Sequence, residues 1–120
     1  MAGTPHRGLA RLYHALLNSI KGFRAAWRGE EAFRQEVVMA AVGIPLAFYV
    51  SHSAVERCLL IGSILIVLIT ELLNTGLEVV VDRISDEHHE LSGRAKDLGS
   101  SAVLVSLLLA GVIWALVLLG

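Results

Sequence analysis

Polar side chains capable of chemistry lie within a long apolar segment of this sequence. Glu71, Asn74 and Glu78 are surrounded by Leu, Ile and Val. On a helix that turns by about 100° per residue, these three residues share one face with Thr75 and Asp82, and the opposite face is aliphatic. Carboxylates grouped in this way can accept a proton or bind a divalent cation. We therefore take this polar face as the candidate functional site.

The polar face requires a partner, because one carboxylate costs on the order of 3 kcal/mol within a membrane span. A cation, another protomer or water in a cavity would meet that need. Two neighbouring carboxylates also repel each other, and a divalent cation at Glu78, with a further carboxylate such as Glu30, would relieve the repulsion. Magnesium prefers oxygen ligands and usually arrives with phosphate. The alternative is that Glu71, Asn74 and Glu78 form hydrogen bonds between protomers, but such contacts rarely require two ionisable groups.

The depth of the polar face suits an enzyme that joins a lipid to a soluble reagent. If the hydrocarbon layer begins near Cys58, Glu71 lies about 20 Å further along a helix that rises about 1.5 Å per residue. In a core of about 30 Å this leaves Glu71 about 10 Å below the cytoplasmic boundary. Glu78 then reaches that boundary. The polar face would connect a site facing lipid to one facing water.

The elements that position these residues are predicted to be membrane helices. Of the 120 residues, 55% are apolar and only 18% are charged, whereas a soluble domain would carry more charge. Residues 8–28 have apolar side chains at three- and four-residue steps with basic side chains opposite, which is typical of an amphipathic helix in the membrane interface. The predicted organisation is one membrane domain (1–120), with that surface helix, spans at 32–50, 55–81 and 99–119, and a cytoplasmic connection at 82–98.

The distribution of Lys and Arg predicts the orientation. Six occur up to residue 34, at the polar start of the first span, one lies at residue 57 beside the first turn, three lie between the last two spans, and none follows the third. The positive-inside rule therefore places the N-terminus and the connection at 82–98 in the cytoplasm. The apolar run of the first span, residues 37–50, contains Pro45 and is short, so it crosses the membrane only if the polar residues before this run are helical. The predicted fold class is an all-α membrane protein, a helical bundle assembled as an oligomer, because three helices can hardly enclose a polar site alone.

The connection supplies further charged groups, including Asp86, and Lys96 there could meet phosphate charge. For His88 and His89, a solvated loop pair and a ligand contact fit the sequence equally well. The sequence contains no GxxxxGK[ST], no GxGxxG before a helix and no HRD or DFG motif. If the protein uses a nucleotide, it binds the nucleotide without these motifs of soluble nucleotide-binding proteins.

Several segments resemble the prokaryotic integral-membrane diacylglycerol kinase family. The stretch from Glu71 to Asp82, with Asn74 and Glu78 at fixed spacing between them, closely resembles the signature of that family. Gly76 stands where the family usually has alanine. Further blocks match at residues 21–27, 32–36, 89–97 and 99–103.

The resemblance implies a bacterial inner-membrane homotrimer with sites shared between subunits. It would transfer the γ-phosphate of Mg-ATP to diacylglycerol, giving phosphatidic acid. By position, Glu71 is implied as the general base, and Glu30 and Glu78 as ligands of Mg²⁺, although the neighbouring Glu31 leaves the choice of glutamate open. The implied ATP contacts are Arg11, Asn18, Glu30, Asn74, Glu78, Glu87, His89, Lys96 and Asp97. The implied lipid contacts are Glu71, Ser100, Ala15, Ser19, Ala32, Phe33 and Gln35.

Other functions compete with this interpretation. Undecaprenol kinase activity would use the same machinery on another lipid alcohol. A small transporter or channel subunit would use Glu71 and Glu78 for protons or cations. A non-catalytic assembly protein would leave the polar face unexplained. The expected partners are a lipid from the bilayer, ATP and further copies of the chain, with no nucleic acid.

Overall fold

The computed structural model describes residues 7–84, 87 and 89–120. This part of the chain forms four helices and contains no strand: α1 (Leu9–Gly29), α2 (Glu31–Val50), α3 (Ala54–Ile84) and α4 (Glu90–Leu119). Helices α2, α3 and α4 are each long and apolar enough to cross a membrane. The predicted fold class, an all-α protein with three spans preceded by one helix, is therefore confirmed. Its assembly as an oligomer stays a prediction.

A sharp joint separates α1 from α2. Helix α1 ends at Gly29, and Glu30 adopts an extended conformation with φ −126° and ψ 111°. The Arg34 guanidinium donates hydrogen bonds from Nη1 to the carbonyl oxygens of Trp27 (2.6 Å) and Arg28 (3.4 Å). These carbonyls belong to the last turn of α1, where helices leave acceptors without internal partners. Arg34 therefore ties the surface helix to the first span.

The residues after this joint are helical, as the first span requires. Helix α2 comprises 20 residues and continues through Pro45, so it is about 30 Å long at about 1.5 Å per residue. The stacked rings of Phe33 and Phe23, with centroids 6.5 Å apart, pack α2 against α1. The helical extension at its N-terminal end gives α2 the length that the short apolar run alone lacks.

A compact turn joins α2 to α3. Ser53 Oγ accepts the backbone N–H of Glu56 (3.1 Å), and Glu56 Oε1 accepts the backbone N–H of His52 (2.9 Å). This reciprocal arrangement resembles a capping box and satisfies donors at the start of α3. Arg57 Nε donates to Ser51 Oγ (3.1 Å), so the turn is held from both sides.

Helix α3 is the centre of the bundle and packs most extensively against α4, then against α2. Its buried residues recur at helical spacing and are Leu60, Ser63, Ile64, Val67, Glu71 and Val81. The indole Nε1 of Trp114 on α4 donates to the carbonyl oxygen of Leu60 (3.3 Å). One continuous face of α3 therefore passes from an apolar contact zone to a buried carboxylate.

The polar segment between α3 and α4 is more helical than a simple connection. Helix α3 continues to Ile84 and α4 already begins at Glu90, so much of the predicted connection at 82–98 belongs to the helix ends. The pair between Glu90 Oε1 and Arg94 Nη2 (3.4 Å) supports this extra turn of α4. Of the residues discussed from sequence, Asp86 and His88 lie outside the described residues.

Candidate active site

Glu71 is the centre of the candidate site. Its side chain is 5% exposed and extends the buried face of α3. Asn74, one turn further along, acts as a hydrogen-bond donor to its carboxylate, and Glu30 and Glu78 lie close enough to act on it electrostatically. Helix α3 brings Glu71, Asn74 and Glu78 together through its own periodicity, whereas Glu30 comes from the joint before α2. The structure thus groups four residues that the sequence had singled out.

A further carboxylate, that of Glu36 on α2, joins this group. Glu36 is 8% exposed and interacts electrostatically with Glu71. The sequence pattern gives Glu36 no role of its own, although it lies within the matched block at residues 32–36. A signal was present, because Phe33, Glu36 and Ala40 have the three- and four-residue spacing of one helical face, and all three are buried.

Three buried polar atoms near Glu71 lack hydrogen-bond partners within the described residues. They are Glu36 Oε2, Asn74 Oδ1 and Thr75 Oγ1. Leaving a buried polar group unsatisfied costs about 1–3 kcal/mol, and native structures contain few such groups. Their concentration around one carboxylate marks a place suited to receiving polar atoms of another molecule.

A cavity of about 530 Å³ opens between α1 and α3 beside this group. Thr75 and Gly76 line it from α3, Glu30 from the joint, and Ser19 and Phe23 from α1. Its size lies within the usual range for small-molecule sites. Glu71 does not line the cavity itself but lies one helical turn from Thr75. The cavity is mainly apolar with a carboxylate at one side, which suits the polar end of a lipid.

Helix α4 supplies a cation to the C-terminal end of the polar face. Lys96 Nζ lies 2.7 Å from Asp82 Oδ1, and Lys96 also interacts electrostatically with Glu78. Asp82, Glu78 and Lys96 are thereby brought together from two helices. A phosphate group could replace the Asp82 carboxylate as the partner of this ammonium group.

The other predicted nucleotide contacts are placed differently. His89 caps the N-terminus of α4, where its Nδ1 accepts the backbone N–H of Leu91 (3.0 Å). This gives His89 a structural role that leaves Nε2 for another contact. Arg11, Asn18, Glu87 and Asp97 are exposed.

The predicted lipid contacts divide into cavity, core and surface positions. Ser19 lines the cavity and donates its hydroxyl to the carbonyl oxygen of Ala15 (2.9 Å). Phe33 is buried against α1. The remaining ones, Ala15, Ala32, Gln35 and Ser100, are exposed.

The carboxylates do not form a complete metal site on their own. Within the described residues, no three His, Cys, Asp or Glu side chains converge closely enough to hold a metal ion. Glu30 and Glu78 both lie near Glu71, whereas Glu31 is exposed and borders a separate surface groove with Arg34 and Gln35. Of the two neighbouring glutamates, Glu30 is the one that faces the site.

These features define a multi-pass membrane protein with a cluster of carboxylates on its central span. The family model of prokaryotic diacylglycerol kinase matches residues 17–118. Diacylglycerol kinase of Escherichia coli K12 is 48% identical over 111 residues, which cover 92% of this chain and 91% of that protein. Diacylglycerol kinase of Pseudomonas aeruginosa PAO1 is 50% identical over 113 residues, covering 94% and 92%. The chain belongs to the prokaryotic diacylglycerol kinase family.

Proposed function

We propose that this protein transfers the γ-phosphate of ATP to the hydroxyl group of diacylglycerol, forming phosphatidic acid and ADP. Family membership supports the reaction. The observation that carries the site is the buried Glu71 carboxylate, which has Asn74 as a donor and Glu30 and Glu78 as charged neighbours. Such a carboxylate, placed on a span beside a mainly apolar cavity, can meet a lipid alcohol without exposing it to water.

In this mechanism Glu71 is the general base. Its carboxylate accepts the proton of the lipid hydroxyl as the hydroxyl oxygen forms a bond to the γ-phosphorus and the bond from that phosphorus to the β,γ-bridging oxygen breaks. Asn74 orients the carboxylate through its side-chain amide. ADP leaves with the electron pair of the broken bond, and the proton stays on Glu71 until it is released to water.

Glu36 is proposed to assist this proton transfer. The Glu36 and Glu71 side chains interact electrostatically, and two neighbouring ionised carboxylates repel each other. This repulsion is relieved when Glu71 accepts the proton. Because the relief comes only once the base is protonated, it favours the later stages of the reaction over the ground state.

Glu30 and Glu78 are proposed to hold the magnesium ion of Mg-ATP. Their carboxylate oxygens are ligands that magnesium prefers, and two protein ligands leave room for phosphate oxygens and water. When bound, the ion neutralises charge on the transferring phosphoryl group. The position of Glu30 at the cavity, compared with the exposed Glu31, supports Glu30 as the ligand.

Further residues are proposed to bind the nucleotide and the lipid. Lys96 leaves its ion pair with Asp82 and binds a phosphate group of the nucleotide. Further nucleotide contacts come from the exposed side chains of Arg11 and Asp97 and from Nε2 of His89. Ser19 lies in the cavity wall and is the best-placed lipid contact of α1. The N-terminus and the α3–α4 connection face the cytoplasm. The working assembly is a homotrimer.

A phosphoryl-transfer assay in mixed micelles tests the function. Purified protein is given γ-labelled ATP with diacylglycerol or with undecaprenol, and Glu71→Gln serves as the inactive control. We expect label in phosphatidic acid. Preferential labelling of undecaprenol would contradict diacylglycerol as the proposed substrate, and no transfer to either lipid would contradict the proposed kinase activity. ATP-independent ion flux in liposomes, without transfer, would instead support a transporter.

A further inference from the structure

Gly99 on α4 makes an unusually close approach to the candidate site. A Cβ atom at this position would overlap Oδ1 of Asn74 and would lie 3.1 Å from Cγ of the same residue and 3.0 Å from Cδ2 of Leu77. Gly93 and Gly111 lie on the same helix, yet beyond the adjacent residues and the nearby backbone of α4 itself, a Cβ at either would meet no described atom within 4 Å. The close fit is therefore a local feature of the Gly99–Asn74 contact and not of glycine on α4 in general.

This contact accounts for the position of a buried oxygen. Asn74 Oδ1 is inaccessible to solvent and has no hydrogen-bond partner among the described residues. It lies where the Cβ of residue 99 would be, so a Cα hydrogen of Gly99 points toward it. A contact of this kind is a weak C–H···O interaction. It is available only because residue 99 has no side chain.

The orientation of the Asn74 amide follows from this contact. With its oxygen held against the backbone of α4, its NH₂ group is directed away from α4, and Asn74 is a donor to the Glu71 carboxylate. Exchanging the two ends of the amide would direct the oxygen at the carboxylate, and the two acceptors would repel each other. Gly99 thus selects the orientation in which Asn74 can donate.

We propose that Gly99 is a positioning residue for phosphoryl transfer, acting through Asn74 on Glu71. The inference rests on the proposed role of Glu71 as the base. A methyl group at position 99 would force the Asn74 amide to rotate, because both its oxygen and its Cγ lie within the space that the methyl group needs. The rotation would remove the donor from the carboxylate while leaving the Glu71 side chain in place.

The competing explanation is that Gly99 only permits α3 and α4 to pack closely. A substitution would then separate the helices and lower thermal stability, with any loss of activity following from the loss of structure. Alanine is the better helix former, so the substitution does not itself weaken α4. The two explanations differ in whether the effect depends on the side chain at position 74.

The test is a double-mutant cycle with Gly99→Ala and Asn74→Ala, measured in the diacylglycerol assay. We expect each single variant to lower kcat by about 10-fold or more, as for a lost hydrogen bond to a charged group. Because Ala at position 74 empties the space beside Gly99, the double variant should be no worse than Asn74→Ala. The KM values for lipid and ATP in Gly99→Ala should change as they do in Asn74→Ala, and thermal stability should be retained. Gly111→Ala is the matched control on α4 and should retain wild-type kcat.

Several outcomes would overturn the inference. These are wild-type kcat in Gly99→Ala, full activity in Asn74→Ala, losses that multiply in the double variant, and a kcat loss that accompanies a lower thermal stability. Wild-type protein that does not phosphorylate diacylglycerol would instead refute the proposed function, so the two failures are distinguishable.

Discussion

The two halves of α3 differ in whether their buried polar side chains have hydrogen-bond partners. In the N-terminal half, the Ser63 hydroxyl donates to the carbonyl oxygen of Leu60 (2.8 Å), and the same carbonyl also accepts the indole N–H of Trp114. Leu60 and Val67 are fully buried. Within the described contacts of this half, buried polar side chains have partners and the apolar side chains are closely packed.

The C-terminal half contains the buried Glu71 together with atoms of Asn74 and Thr75 that have no hydrogen-bond partner among the described residues. It lies beside an open cavity between α1 and α3. Unsatisfied polar groups are costly in a low-dielectric environment. The N-terminal half shows that α3 can satisfy its buried polar groups, so the unsatisfied groups of the C-terminal half require another explanation. We propose from this difference that the N-terminal half provides stability and the C-terminal half provides chemistry. Variants in each half test this proposal.

The largest effect is expected from Glu71→Gln. The amide has nearly the same shape as the carboxylate but cannot act as the base, so kcat should fall on the order of 10²–10⁴-fold. ATP binding should be retained, which equilibrium binding of labelled nucleotide would measure. The matched control is Glu56→Gln in the N-terminal half, where Glu56 interacts with the backbone N–H and the imidazole ring of His52 in the turn. Substantial turnover in Glu71→Gln would remove the assignment of the base.

The next largest effect is expected from Glu78→Gln. Losing one carboxylate ligand should raise the magnesium concentration needed for half-maximal activity by about 10-fold or more and should raise KM for ATP. A magnesium titration at fixed lipid concentration measures this. Glu31→Gln is the control, because Glu31 is exposed outside the cavity. An unchanged magnesium dependence in Glu78→Gln, or a shift as large in Glu31→Gln, would contradict the proposed ligands.

The sequence predicts the parts of this site that depend on one helix. Glu71, Asn74 and Glu78 could be placed together because helical spacing alone brings them to one face. The second and third spans could be predicted because their apolar runs match the thickness of a bilayer, whereas the first span reaches that length only with the polar residues that precede its apolar run. The ends of α3 and α4 were less predictable, since residues 82–84 and 90–98 are rich in charged side chains and charge alone does not distinguish an exposed helix from a loop.

Apart from the expected approach of Glu30 to the polar face, the parts that depend on contact between helices were not predicted. Glu36 reaches Glu71 only through the register of α2 against α3, and the contact of Gly99 with Asn74 depends on the register of α4. The Lys96–Asp82 pair likewise joins two helices, although Lys96 was expected to meet phosphate. Periodicity describes each helix separately, so these relations become visible only in the folded structure.

A smaller effect is expected from Glu36→Gln on α2. The amide keeps the shape of the side chain but lacks the negative charge, so protonation of Glu71 relieves less repulsion. We expect kcat to fall on the order of 10-fold with little change in KM for ATP. Steady-state kinetics at varied lipid and ATP concentrations would show this. The idea fails if kcat is unchanged, or if the variant loses magnesium dependence instead.

The smallest effect on turnover is expected from Leu60→Ala in the N-terminal half. Leu60 is 0% exposed, so its truncation leaves a cavity that costs on the order of 2 kcal/mol, near the lower end for soluble cores because lipid is the alternative surrounding. Thermal unfolding in detergent should therefore occur at a lower temperature. The neighbouring Leu59→Ala removes the same atoms from an exposed position and should change stability little. At a temperature where both variants are folded, kcat should equal that of the wild type. A large loss of kcat in folded Leu60→Ala would show that the two halves of α3 are not separate in function.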